Sequence, residues 1–212
     1  MSTLFTTDLR REQLLQRSLD RCYSRYGIEV ARCSDDERQR QGIDAYLSKD
    51  GHTFAVDEKA QLHYIGESLS TFALEIDLLK DGILSNGWLF DPTKATEVYS
   101  FVFDIRLHGG ETMLQRWTQV RAAHIILVSR PRLIAVLEEV GLDRPTLDRF
   151  SKELRGSTDK RRTVRTPAMA VVISRQLEEQ PVNLLVKRSF LSSIGQTMVW
   201  ETTRSLAASM AR

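Results

Sequence analysis

Asp44, Asp57 and Lys59 are the residues whose types and spacing best suit chemistry. They fall in two segments, Gly42-Ile43-Asp44 and Val56-Asp57-Glu58-Lys59-Ala60-Gln61. Between them lies Lys49-Asp50-Gly51-His52, a hairpin signal set in alternating apolar and polar residues. If both flanks are strands, the three side chains meet at the edge of a sheet. Side chains two apart in a strand share a face, so Asp57 and Lys59 project together, whereas Glu58 goes with Phe54 and Val56. Two carboxylates that hold a hard divalent cation, with an ammonium beside them, form a minimal apparatus for phosphodiester cleavage. The plainer alternative is a surface ion-pair cluster worth about 0–1 kcal/mol. Carboxylates meeting across a hairpin repel one another without a cation, which weighs against that alternative.

The surrounding pattern supplies the elements that must position these residues. Leu15, Leu19, Cys22 and Tyr26 recur at helical steps and predict an amphipathic helix from about Asp8 to Tyr26, stopped by Gly27. Ser34 to Gln41 reads as a loop or short helix. Gly42 to Ser48 and His52 to Gln61 are the hairpin strands, and Thr71 to Ile76, carrying Glu75, is another. Asp81-Gly82 to Asn86-Gly87 is rich in turn signals. Trp88 to Phe90 and Tyr99 to Ile105 follow as strands. A helix is expected over Glu111 to Gln119, with strand left open, and then a buried strand from Ala123 to Ser129. Pro131 to Val140 opens with proline in its first turn and reads as a helix, as does Asp143 to Arg155. Late strands are expected at Met169 to Ser174 and Pro181 to Lys187, before a C-terminal helix over Phe190 to Met210 that breaks near Gly195. With no repeat or linker, residues 1–212 predict a single α/β domain with a mixed sheet.

The order of helix, strand with Asp, hairpin, strand with Asp-x-Lys and strand with Glu resembles the core of the PD-(D/E)xK nuclease superfamily. The resemblance rests on Gly42-Ile43-Asp44, Asp57-Glu58-Lys59 and Gln61, with Thr71 to Ile76 and Gly87-Trp88-Leu89 resembling the continuation of the sheet. It covers about residues 8–105, and departs from the pattern in having Ile43 where a proline would precede Asp44. It implies a restriction-endonuclease-like fold, a mixed central sheet flanked by helices. It also implies magnesium-dependent hydrolysis of nucleic-acid phosphodiester bonds, with DNA endonuclease as the expected activity and Mn2+ able to substitute for Mg2+. Asp44 and Asp57 would be metal ligands, and Lys59 a base or charge stabiliser. The Glu58 carbonyl could add a ligand, while Gln61, on the side of Asp57 and Lys59, could bind phosphate or water. Glu12 from the first helix and Glu75 are further candidate ligands. A homodimer would let two sites cut both strands. The rival readings are a non-catalytic nuclease-like protein, serving nucleic-acid binding or phage–host conflict, and an RNA-cleaving effector.

Composition narrows little beyond this. The chain has 212 residues, 42% hydrophobic and 27% charged, enough for a core without disulfides. The net charge of +2 means that any nucleic-acid footprint must be local. Lys160, Arg161, Arg162 and Arg165, in a basic loop, are the candidates for phosphate contact. Arg130 and Arg132 are weaker ones. Cys22 and Cys33 lack zinc spacing and fit free thiols in a reducing compartment. No apolar run approaches the roughly 20 residues needed to span a bilayer. Residues 1–11 lack the features of a signal peptide, so a cytoplasmic protein without membrane partners is expected.

Overall fold

The computed structural model describes residues 3–164 and 168–202, with side chains from residue 9 onward. The first helix, α1 (Thr3–Arg25), buries Leu15, Leu19, Cys22 and Tyr23. It ends at Gly27, whose positive φ lets the Ile28 N–H turn back to the Tyr23 carbonyl. Next come β1 (Glu29–Arg32), the short α2 (Asp36–Arg40) and the expected hairpin, β2 (Ala45–Lys49) and β3 (His52–Ala60). Asp50 and Gly51 both have positive φ, the backbone a tight two-residue hairpin turn demands. After β4 (Thr71–Lys80), Asp81 and Gly82 repeat that geometry and lead into β5 (Ile83–Asn86).

The chain continues as β6 (Val98–Leu107), β7 (Val120–Ser129), α3 (Arg130–Glu139), α4 (Arg144–Gly156), β8 (Arg161–Thr163), β9 (Ala168–Ile173), β10 (Val182–Lys187), α5 (Arg188–Ile194) and β11 (Gln196–Glu201). These strands form two sheets. The six-stranded one has the order β1-β2-β3-β6-β7-β11, and the five-stranded one β5-β4-β10-β9-β8. Within the first sheet β3 and β6 are parallel and the other pairs antiparallel, so it is the mixed sheet expected.

Each face of the six-stranded sheet has its own apolar core. On one, Val56, Val102, Ile105, Ile125 and Met198 pack against α1. On the other, Tyr99, Phe101, Phe103, Ile126 and Val128 meet Phe72 and Leu74 of β4 and Leu184 of β10. The Phe72 ring lies 4.8 Å from that of Phe101 and 5.2 Å from that of Phe103. β6 is therefore buried on both sides, which explains its nearly continuous apolar sequence.

Several expectations are corrected. The second face of the mixed sheet is covered by another sheet, with α3, α4 and α5 contributing to the same core, rather than by helices alone. Thr71 to Ile76 belongs to that second sheet and does not extend the first. Ile83 to Asn86 is a strand, and Trp88 to Phe90 is a turn. The chain turns there, with the Phe90 N–H bonding the Gly87 carbonyl at 3.3 Å and the Leu89 N–H the Glu75 carbonyl at 3.2 Å. No side chain fits at Gly87, where a Cβ would stand 2.5 Å from the Glu75 carbonyl oxygen. Glu111 to Gln119 is a loop ending in a 3-10 turn (Trp117–Gln119), its backbone held by the Gln119 side chain, which accepts from the Gln115 and Arg116 N–H groups. The expected C-terminal helix is only α5, followed by a strand that alternates buried Met198 and Trp200 with exposed neighbours. Residues 203–210 of that expected helix lie outside the described residues.

Candidate active site

The hairpin places Asp44 one residue before β2, whose register ends with Ala45 opposite Val56, the residue before Asp57 on β3. The Asp44 backbone continues the ladder, its N–H donating to the Val56 carbonyl at 2.9 Å. Its carboxylate accepts from the Glu58 N–H at 2.7 Å. Lys59 lies two residues beyond Asp57, on the same face, and its Nζ pairs with Asp57 Oδ1 at 2.8 Å. The Asp57 side chain is only 4% exposed and that of Lys59 28%. The Trp88 ring closes the other side of Lys59, with Nζ 5.2 Å from its centroid. Trp88 in turn packs edge-on against Tyr99 at 5.0 Å.

Charge ties these groups together. Burial, with the Asp57 charge next, pushes the Asp44 carboxyl up to about 7, against the opposing Glu58 N–H and Lys59. Burial disfavours the Lys59 ammonium, but Asp57 first, then Asp44 and Glu75, hold its pKa above the ordinary lysine value. Glu75 is raised by burial against the Trp88 N–H and Lys59. Asp44, Asp57, Lys59 and Glu75 thus form one electrostatic unit.

Glu58 goes to the opposite face, as the strand period requires. Its carboxylate takes Arg32 Nη1 at 2.6 Å and the Tyr23 hydroxyl at 2.9 Å. Arg32 also donates to Asp20, and the Tyr23 hydroxyl also meets Ser100 Oγ at 2.7 Å. The Glu58 side chain is therefore committed to joining α1, β1 and β3, and only its backbone points to the site. Arg32→Ala would leave Glu58, 6% exposed, as a buried charge without its cation. A loss of about 3–5 kcal/mol is expected at pH 8, and less at pH 5, where Glu58 can take up a proton instead. Urea unfolding at both pH values measures it.

Glu12 lies with Gln16 on the α1 side, lining a small cleft of about 40 Å³ shared with Asp44 and Glu58. Asp44 is thus where the Glu12 neighbourhood meets that of Asp57, Lys59 and Glu75. Gln61 falls just past the end of β3 and donates its Nε2 to the Thr71 carbonyl at 2.8 Å, joining the two sheets. Among the described residues no three His, Cys, Asp or Glu side chains form a ready metal cage. Magnesium needs only one or two carboxylates and keeps several waters, so the mutually repelling pair Asp44 and Asp57 fits such an ion.

The basic run stands apart. Arg161 and Arg162 lie on β8, three strand positions from β4, about 14 Å at ordinary strand spacing. Arg162 stacks 3.9 Å from the Phe150 ring centroid and pairs with Glu153. Lys160 and Arg161 are exposed, and Arg165 lies outside the described residues. Arg130 is spent internally, donating to the Tyr99 hydroxyl at 3.1 Å and the Asp91 carbonyl at 2.9 Å. Sequence reasoning missed Arg32, Trp88 and Tyr99 as neighbours of the site, and no local pattern marks them.

No family model, curated protein or solved structure matches the chain. No helix among the described residues is long and apolar enough to cross a membrane.

Proposed function

We propose that this protein is a magnesium-dependent nuclease of the PD-(D/E)xK kind, acting on DNA phosphodiester bonds. The observation that carries the reading is the pair of carboxylates, Asp57 on β3 and Asp44 just before β2, beside the Lys59 ammonium. A helix against one face of a mixed sheet fits it too. The second sheet on the other face departs from the helix-flanked arrangement that the resemblance implies.

Asp44 and Asp57 would hold the ion, and Glu12, which lines the same small cleft as Asp44, is the α1 residue that would support it. Magnesium, when bound, supplies positive charge to the phosphoryl oxygens and an acidified water. Asp44, poised near neutrality, gives up its proton readily when a cation arrives. Lys59 keeps its proton, so it serves as a hydrogen-bond donor and charge stabiliser rather than a base. The Arg32 and Tyr23 bonds to Glu58 fix the strand between the two aspartates. A second reading, a nuclease-like binder without turnover, draws on the low exposure of Asp57 and its closed pair with Lys59.

The test is incubation of purified protein with plasmid, linear duplex, single-stranded DNA and RNA, in magnesium, in manganese and in chelator. Metal-dependent cutting that Asp57→Asn abolishes is expected, with DNA preferred. Intact substrates with a persistent gel shift favour the binder. Neither cutting nor binding would defeat both readings.

A further inference from the structure

The loop of residues 87–97 passes beside the carboxylates and is fastened at both limbs. On one side Arg130 gathers the carbonyls of Leu89 and Asp91, while Glu97 exchanges backbone and side-chain bonds with Ala55 of β3. On the other the loop docks on the segment leading into Asp44. Lys94 Nζ donates to the Arg40 carbonyl at 2.6 Å, the Ala95 N–H to the Gln41 carbonyl at 2.8 Å and the Thr96 hydroxyl to the Gly42 carbonyl at 2.7 Å.

Gly42 makes this approach feasible. Its φ is +75°, and a Cβ there would stand 2.6 Å from Thr96 Oγ1, 3.2 Å from Lys94 Cδ and 3.4 Å from Asp57 Oδ2. The Lys94 stem and the Asp57 carboxylate therefore converge on one side-chain-free point. The two lysines differ in how their charge is used. Lys59 is neutralised by Asp57. Lys94 bonds a neutral carbonyl and forms no salt bridge among the described residues, so two of its three N–H donors remain for a partner.

We propose that Lys94 is a substrate-binding residue that holds the phosphate next to the one undergoing hydrolysis, and that the basic run on β8 is not the principal phosphate contact. This rests on the nuclease reading above. A cation on the loop that docks next to the carboxylates supplies the attraction that brings a polyanion up to a negatively charged centre.

The experiment measures binding of a short fluorescein-labelled DNA duplex by anisotropy across a salt series in magnesium, in an Asp57→Asn background so that nothing is cut. Lys94→Gln keeps a polar side chain while removing the charge. It should reduce the slope of log affinity against log salt by about 0.9. Between about 50 and 200 mM salt the affinity ratio between parent and Lys94→Gln then narrows roughly threefold to fourfold. Lys94→Arg should restore the slope. Unchanged affinity and slope in Lys94→Gln, with loss on replacing Lys160 and Arg161, would overturn the assignment and leave the nuclease reading standing. If the unmutated protein neither binds nor cuts nucleic acid, the nuclease reading has failed and this proposal falls with it. Melting curves show whether a variant has lost its fold. Should Lys94→Gln do so, Lys94→Arg, which keeps the charge, and Thr96→Val, which loosens the docking without removing charge, carry the comparison. Weaker binding in Thr96→Val at an unchanged slope supports the assignment, and equal affinities overturn it.

Discussion

Lys59→Met is expected to destabilise the protein by about 3–5 kcal/mol and to lower the proposed hydrolytic activity by about 10²–10⁴-fold. The first effect follows from burial. Asp57, 4% exposed, would lose its only salt-bridge cation among the described residues and be left as a charge shielded from water. Asp57→Asn is gentler, because Lys59 retains 28% of its side-chain exposure and can turn toward solvent. Combining Asp57→Asn with Lys59→Met should recover much of the stability lost in Lys59→Met, since no unpaired charge then remains. Activity should recover in neither. Chemical unfolding of the two single variants and the double one, beside cleavage assays, separates the structural role of the pair from its chemical one. A double variant destabilised by the sum of the two single costs would show that the pair is not coupled as the 2.8 Å contact requires.

A second large effect concerns pH and metal, and its readout needs no turnover. The Asp44 carboxyl is raised in the folded protein from about 4 to about 7, so the folded state holds a proton that the unfolded chain has released. Stability therefore falls as pH rises from about 4 to about 7 and is level above that. The difference amounts to about 4 kcal/mol from this one group. For a chain of this size that is roughly 8–16 °C in melting temperature. Glu58 and Glu75, also raised by burial, act in the same direction, while Asp91 and Asp104, held low, act oppositely. The comparison with Asp44→Asn, which should lack the Asp44 share of the slope, isolates the residue. Magnesium in millimolar excess should raise the melting temperature at pH 8 and do little at pH 5, where the proton occupies the carboxyl. A magnesium effect that is equal at both pH values, or that survives in Asp44→Asn, would place the ion elsewhere.

The part of the site that could be read from sequence is the part built from adjacent residues. Asp50-Gly51 fixes the hairpin turn, and a period of two then forces Asp57 and Lys59 together and sends Glu58 away. Helices with local caps were equally legible: Asp143 accepts from the Thr146 N–H and Pro145 opens α4, as that sequence implies. What failed was partnership across long separations. Phe72, Leu74 and Ile76 announce a buried face without saying that β10, rather than the motif hairpin, lies beside it. Lys94 and Gly42 have no local signature, because what makes them notable is the docking of one loop on another. Trp88 was misread for a related reason. Its aromatic neighbours look like a strand, yet the chain turns there, where Gly87 packs closely on Glu75. The error at Gln196–Glu201 was one of periodicity. Met198 and Trp200 alternate as a strand does, and Gly195 ends the helix instead of interrupting it.

The interleaving of the two sheets bears on how the chain can be assembled and divided. β4 leaves the ribosome long before β10, its neighbour, and β6 before β7, so the apolar residues Phe72, Leu74 and Phe101 must wait uncovered during synthesis. For the same reason a fragment ending near Ile105, although it holds every motif residue, would lack β7, β10 and the helices that cover Phe72, Leu74 and Phe101. Such a fragment is expected to expose that apolar surface and to aggregate rather than fold.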